Sequence, residues 1–258
     1  MAKKCRSSQQ LNERSRKLAR DVNAQKINAK QAKYQWICQN QNVRDTWIED
    51  LDLVFAGTIN IPATEAKAIE TAAEASEAAF DPSNRFFFTY GASVADKTQD
   101  KTHDKNRLAA AAVIYKRPSA KDNNANWGGM QYELGHCDTT SGAEAGLVAI
   151  SKCLSLATQE LRSTQHQETA PKITIFTHYE DAITSIDRVR YLDSTKGYSE
   201  ASAPLLEIVK KSRRLRDRHG VDIQLNWIPR HADVEGNRFA ESAARKAAAS
   251  QTPPAISC

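Results

Sequence analysis

The stretch Gln224-Leu225-Asn226-Trp227-Ile228-Pro229-Arg230-His231-Ala232-Asp233-Val234-Glu235-Gly236-Asn237, running on through Arg238-Phe239-Ala240-Glu241 to Ala249, decides how the rest of the chain is read. Val221, Ile223, Leu225 and Trp227 alternate with polar residues, the two-residue period of a half-buried strand. Pro229 has no N–H to give a ladder and stops that strand. A loop holding His231 follows, then Gly236-Asn237. Beyond it Phe239, Ala240, Ala243 and Ala244 recur at helical spacing in an alanine-rich segment. The stretch therefore predicts strand, His-bearing loop and helix in succession.

Upstream, residues 199–219 predict a helix ending at Gly220, with Leu205, Ile208, Val209 and Leu215 as its apolar stripe. Lys210, Lys211, Arg213, Arg214, Arg216 and Arg218 give this helix the densest positive charge in the chain; the stripe leaves most of them outward, and the six are the candidate phosphate-binding residues. Lys172 to His178 predicts a strand, and Glu180 to Tyr191 a short helix with Glu180 and Asp181 suited to its positive N-terminus. Ser141 to Thr158 predicts an amphipathic helix carrying Leu147, Ile150, Leu154 and Leu156. Before it, Arg85–Tyr90 (ended by Gly91-Ala92-Ser93), Leu108–Lys116 and Met130–Gly135 predict an antiparallel meander. A polar loop from Asp96 to Asn106 joins the first two strands.

Trp227-Ile228-Pro229-x-His231-x-x-Val234-x-Gly236-Asn237-x-x-Ala240 resembles the C-terminal signature of the ribonuclease H family, type 1, in the version carried by fungal retroelement reverse transcriptases. The resemblance covers about Arg85 to Ala249. It implies an α/β, ribonuclease H-like fold: a five-stranded mixed sheet flanked by helices, here with a helical N-terminal extension. It also implies a chemistry, cleavage of the RNA strand of an RNA–DNA hybrid by two divalent ions held on a cluster of carboxylates.

Laid on this sequence, the four carboxylate positions fall as follows. The first, in the family's Thr-Asp-Gly-Ser, meets Thr89-Tyr90-Gly91-Ala92 and puts Tyr90 in place of the aspartate. The second meets Ala145-Gly146-Leu147-Val148-Ala149-Ile150 and puts Gly146 there. Glu144 precedes Gly146 by two residues, roughly 200° around a helix, and is expected to face elsewhere. The third, at the end of the fourth strand, falls on His178, and the fourth on Glu241. His231 stands where the family keeps a mobile histidine. A phenol and a neutral imidazole are poor ligands for Mg²⁺, so the expectation is a ribonuclease H fold with no intact catalytic set. It would have no cofactor, with Mg²⁺ or Mn²⁺ entering only if Glu144, Glu180, Asp181 and Glu241 rebuilt a site for an active hybrid ribonuclease.

The 258 residues divide on this reading into a basic, helical extension (1–80), the ribonuclease H-like domain (81–250) and a short tail (251–258). Lysines and arginines such as Lys3, Lys4, Arg14, Arg16 and Lys17 crowd the extension, and a helix is expected from Pro62 to Ala79. No apolar run approaches the ~20 residues of a membrane span, and no apolar leader follows Met1. Five scattered cysteines without paired spacing point to a reducing, intracellular setting, nucleus or cytoplasm. A net charge of +5 permits a nucleic-acid partner: RNA, DNA or their hybrid. A protein partner taken through the N-terminal extension is the alternative.

Overall fold

The Arg85–Tyr90 segment sets the two faces of the sheet. Phe86, Phe88 and Tyr90 point to one side and Phe87 and Thr89 to the other, as the pleat requires. The computed structural model describes residues 54–95, 107–118, 126–136, 142–163, 170–189 and 202–251. The basic segment before Val54 and the polar loop from Asp96 to Asn106 lie outside the described residues.

The elements run β1 (Thr58–Asn60), α1 (Glu65–Glu77), β2 (Asn84–Ala95), β3 (Arg107–Arg117), β4 (Asn126–His136), α2 (Gly142–Ser163), β5 (Lys172–Thr177), α3 (Glu180–Arg188), α4 (Ala203–His219), β6 (Asp222–Trp227) and α5 (Glu235–Ser250). From β2 onward this is the ribonuclease H-like order expected from the sequence. The strands lie in the order β1-β6-β5-β2-β3-β4. β2, β3 and β4 pair antiparallel, while β2, β5, β6 and β1 are parallel neighbours. Helices α2, α3 and α4 cover one face around Ile150, Leu154, Ile173, Ile175 and Ile208. Helix α5 crosses β2, β3 and β4 on the other face, with α1 beside it. None of the helices among the described residues is long and apolar enough to cross a membrane.

Two expectations need correcting. Among the described residues the sheet has six strands rather than five, because β1, from the segment assigned to the extension, pairs with β6 through Ile59↔Leu225. A strand of three residues between Gly57 and Pro62 is too short to show alternation. Side chains tie the same segment down. The backbone N–H of Ala56 donates to Ser212 Oγ at 3.0 Å, and Asn60 Nδ2 donates to Asn226 Oδ1 at 2.9 Å. Helix α1 starts as expected, with Thr64 Oγ1 capping the N–H of Lys67, and its buried Ser76 Oγ accepts from the N–H of Gly236. The second correction is that β2 does not stop at Gly91. Its ladder with β3 continues to Ala95↔Arg107, so Gly91 is an interior strand residue.

The Gly236-Asn237 pair of the signature has a packing reason. A Cβ on Gly236 would lie 2.3 Å from the Phe88 ring. That ring is fully buried, stacked on Phe176 at 5.0 Å and met edge-on by Trp127 at 5.8 Å, so it has nowhere to go. Asn237, also buried, reaches back with Nδ2 toward the carbonyls of Arg230 and Ala232, both at 3.5 Å, and holds the loop closed. Gly236→Ala is therefore expected to cost about 1–3 kcal/mol by overpacking, read as a lower urea midpoint with unchanged slope. An unshifted midpoint would contradict this packing.

Candidate functional site

The parallel pairing of three strands stops at one level, where β5 and β6 end and β2 runs on beside β3 alone. Thr89 on β2, Thr177 on β5 and Trp227 on β6 are register partners. The next residues along, Tyr90, His178 and Ile228, therefore emerge side by side, with the N–H of Ile228 donating to the Thr177 carbonyl at 3.0 Å. The crevice outside the carboxyl ends of parallel strands is where open α/β sheets usually place their ligands. Helix α2 supplies Gly146 from one side, and α5 supplies Glu241 and Arg245 from the other.

An aromatic stack fills this position. The Tyr90 and His178 rings stack at 4.0 Å between centroids, and the Tyr179 ring lies 3.8 Å beyond His178. Tyr179 then turns over helix α2. A Cβ added to Gly146 would fall 2.6 Å from Tyr179 Cδ2 and 2.8 Å from its Cγ. The Tyr179 hydroxyl donates to the Gly91 carbonyl at 2.9 Å and fixes the ring there. The position that the resemblance assigns to a glutamate thus lacks a side chain and has a tyrosine ring across it.

His178 is buried, and neither ring nitrogen has a hydrogen-bond partner. Burial, helped by the neighbouring positive charge of Arg230 and His231, lowers its pKa from 6.5 to about 3. It is a neutral imidazole over the ordinary pH range. Tyr90 is almost fully buried. Arg230 and Arg245 both approach its hydroxyl, which is the first cause raising Arg230 and a lesser one raising Arg245, after Glu241. Neither makes a hydrogen bond of standard geometry, and the phenol oxygen is buried without a partner.

Glu241 does not stand free. Its Oε1 is 2.7 Å from Arg245 Nη2, an i,i+4 pair along α5. A pair of magnesium ions placed here would meet one carboxylate, already engaged by a guanidinium, plus a phenol and an unprotonated imidazole. That donor set does not fit two hard divalent cations, which ask for several oxygen ligands each. Among the described residues, no three His, Cys, Asp or Glu side chains gather as a metal site.

The other expected residues fall as follows. Tyr90 and His178 come together in the ring stack, Gly146 joins them through Tyr179, and Glu241 is paired with Arg245 on α5. His231 is exposed on the loop, near enough to His178 to lower its pKa. Glu144 is half-buried on α2; Glu180 and Asp181 are exposed in the first turn of α3. On α4, Arg214, Arg216 and Arg218 are exposed, and Lys210 and Arg213 half-buried. Lys211 departs from this outward set. Its Nζ donates to Ser151 Oγ at 2.9 Å and pairs with Glu207 at 3.1 Å, and burial lowers its pKa. It packs α4 to α2 rather than facing solvent. Sequence reasoning missed Tyr179, Arg230 and Arg245. The i,i+4 spacing of Glu241 and Arg245 was a usable signal; the turn of Tyr179 over Gly146 left none.

No family model and no curated protein matches the chain in sequence. Among solved structures, it is similar to a prototype foamy virus protease-reverse transcriptase at 14% identity, over 68% of this chain, with a TM-score of 0.47. It is similar to LC9-RNase H1, described as a type 1 RNase H with the type 2 active-site motif, at 14% identity, over 68% of this chain and 76% of that one, with a TM-score of 0.45. The solution structure of the foamy virus RNase H domain matches at 13% identity, over 64% of this chain and 93% of that one, with a TM-score of 0.43. The match takes in only 22% of the protease-reverse transcriptase.

His178 links the stack to pH. In the unfolded chain a histidine takes up a proton near 6.5, whereas here the folded value is about 3. The unfolded state therefore binds more protons between these values. The contribution to stability is whole above about pH 6.5 and shrinks as the pH falls toward 3, at about 1.4 kcal/mol per pH unit. His178→Phe, which keeps a flat ring in the stack, is expected to remove that part of the acid sensitivity between about pH 6.5 and 4.5. Denaturant unfolding at several pH values reads it; parallel wild-type and variant curves would contradict it.

Proposed function

We propose that this ribonuclease H-like chain binds nucleic acid without cutting it. One observation supports the reading: the Tyr90–His178–Tyr179 stack fills positions to which the resemblance would assign carboxylates, and Glu241 is held by Arg245. Preorganised charge is the main source of rate in such a reaction, and losing even one group costs on the order of 10²–10³-fold. With Tyr90, Gly146 and His178 where the resemblance would put carboxylates, most of the negative charge that would repel a phosphate is gone.

The exposed Arg214, Arg216 and Arg218 of α4 add a sequence-independent surface for the sugar-phosphate backbone. RNA, DNA and their hybrid all present that backbone, and the hybrid is the form the resemblance favours. The five scattered cysteines, with Cys153 free and buried, support a reducing intracellular setting.

A paired assay tests this on the full chain. With Mg²⁺ or Mn²⁺ present, a labelled RNA–DNA hybrid is expected to stay intact. Its binding is expected to weaken at least about tenfold between roughly 50 and 200 mM salt. Metal-dependent cleavage that disappears in Glu241→Ala would overturn the proposal. Absence of any binding would turn attention to a protein partner, with the segment before Val54 as the bait.

A further inference from the structure

Strand β4 stands last in the strand order and, among the described residues, is paired on one side only, by β3. Such an edge presents a row of N–H and C=O groups to any further strand, and folds usually guard it with lysine, proline or shortness. From Asn126 to Glu133 the strand has none of these guards: it holds no lysine or proline, and Glu133 is its one charge. A register shift between Ala109 and Ala110 marks a bulge just beyond Glu133, where the flat run ends. Asn126, Gly129, Met130, Gln131 and Glu133 are exposed. Met130 on this edge and Phe239 beside it are two of the four large apolar side chains exposed among the described residues.

The two faces of the edge differ. Gly129, Gln131 and Glu133 are register partners of Ile114, Ala112 and Ala110 and lie on the α5 side; Met130 and Tyr132 lie on the α2 side. On the α5 side a groove of about 340 Å³ runs along the strand, lined by Ile114, Trp127, Gly129, Gln131, Phe239 and Lys246. Ile114 forms its floor, since a Cβ on Gly129 would collide with Ile114 Cδ1. Phe239, set edge-on to Trp127 at 5.8 Å, forms a wall. Trp127 Nε1 donates to Glu235 Oε2 at 3.0 Å, so a carboxylate already stands beside that ring. Lys246, roughly three turns further along α5, lines the groove with a positive charge and is exposed.

We infer that β4 pairs antiparallel with β4 of a second copy of this chain, about a two-fold axis at Gln131, and so joins two sheets into one. A two-fold axis normal to the sheet keeps each face on its own side, so opposed residues share a face and the axis passes through one residue of each strand. Met130 and Gln131 are the centres that keep most of the unguarded run paired. An axis at Met130 would set Glu133 of the second copy against Trp127, next to Glu235, and two carboxylates there repel. An axis at Gln131 sets Glu133 of the second copy opposite Gly129 instead, over the Ile114 floor of the groove that Lys246 lines. It also sets Met130 opposite Tyr132 on the α2 side, a thioether against an aromatic ring. Each copy gives one carboxylate and receives one, so the charge complementarity closes on itself. The inference does not rest on the nucleic-acid-binding reading.

Sedimentation of the full chain across a micromolar concentration series tests it, and the wild type is expected to pass from the mass of one chain to that of two. Gln131→Lys and Gln131→Glu each put like charges together at the axis and are expected to weaken the dimer at least about tenfold. An equimolar mixture of those two variants is expected to restore it, because lysine then faces glutamate. Ile61→Lys adds the same charge at an exposed apolar residue beside β1, the opposite edge of the sheet, and is expected to leave the dimer intact. Circular dichroism and thermal melting check that each variant is folded. A wild type that stays a single chain throughout overturns the inference and leaves the edge to the residues before Val54 or to another protein. A dimer that survives both Gln131 variants, or that Ile61→Lys alone disrupts, overturns it and puts the interface elsewhere. A mixture that fails to restore what each variant lost overturns the axis at Gln131.

Discussion

A single hydrogen bond, from the Tyr179 hydroxyl to the Gly91 carbonyl, fixes what the rest of this site can be. It swings the Tyr179 ring off the end of β5 and across helix α2, into the space a side chain on residue 146 would need. Once the ring is there, His178 is caught between two tyrosines and shut away from water. Its nitrogens lose their partners and its proton. Tyr90, beneath, is in turn almost fully buried, its hydroxyl left without a partner. Each step follows from packing: a ring tied down at one end excludes both a competing side chain and the water a charged group would require.

The remainder of the fold holds that arrangement from both faces of the sheet. On one side α2 carries Gly146 against Tyr179; on the other α5 carries Glu241 and Arg245 over Tyr90. Helix α5 keeps its place because Gly236 lets it lie directly on Phe88, and Asn237 ties its entry loop. The parallel register of β2, β5 and β6 brings Tyr90, His178 and Ile228 to a common level. The short strand β1 and helix α1 extend the same sheet and the same apolar layer, so they are part of the scaffold that sets the site.

The chain's order of elements was legible because its signals are local: alternating apolar residues in β6, the stop at Pro229, the apolar stripe of α4 and its end at Gly220. The places of Tyr90, Gly146, His178 and Glu241 could be laid out by resemblance, since fixed spacings carry them. β1 was hidden because three residues show no period. The run of β2 past Gly91 was hidden because a glycine looks the same in sequence whether it ends a strand or sits inside one. Lys211 read as a surface cation, yet its partners Ser151 and Glu207 bury it. The covering of Gly146 by Tyr179 depends on a side-chain direction set by a contact between elements far apart in sequence. No local pattern records that.

On the reading proposed above, an aromatic stack stands where the resemblance would put a metal-binding cluster, and the remaining carboxylate, Glu241, is engaged by Arg245. Calorimetric titration of Mn²⁺ into the full chain tests it most directly. No saturable binding is expected in the low-millimolar range. Saturable binding of one or two ions that is lost in Glu241→Ala would contradict it, and would mean that the carboxylate leaves Arg245 to hold metal.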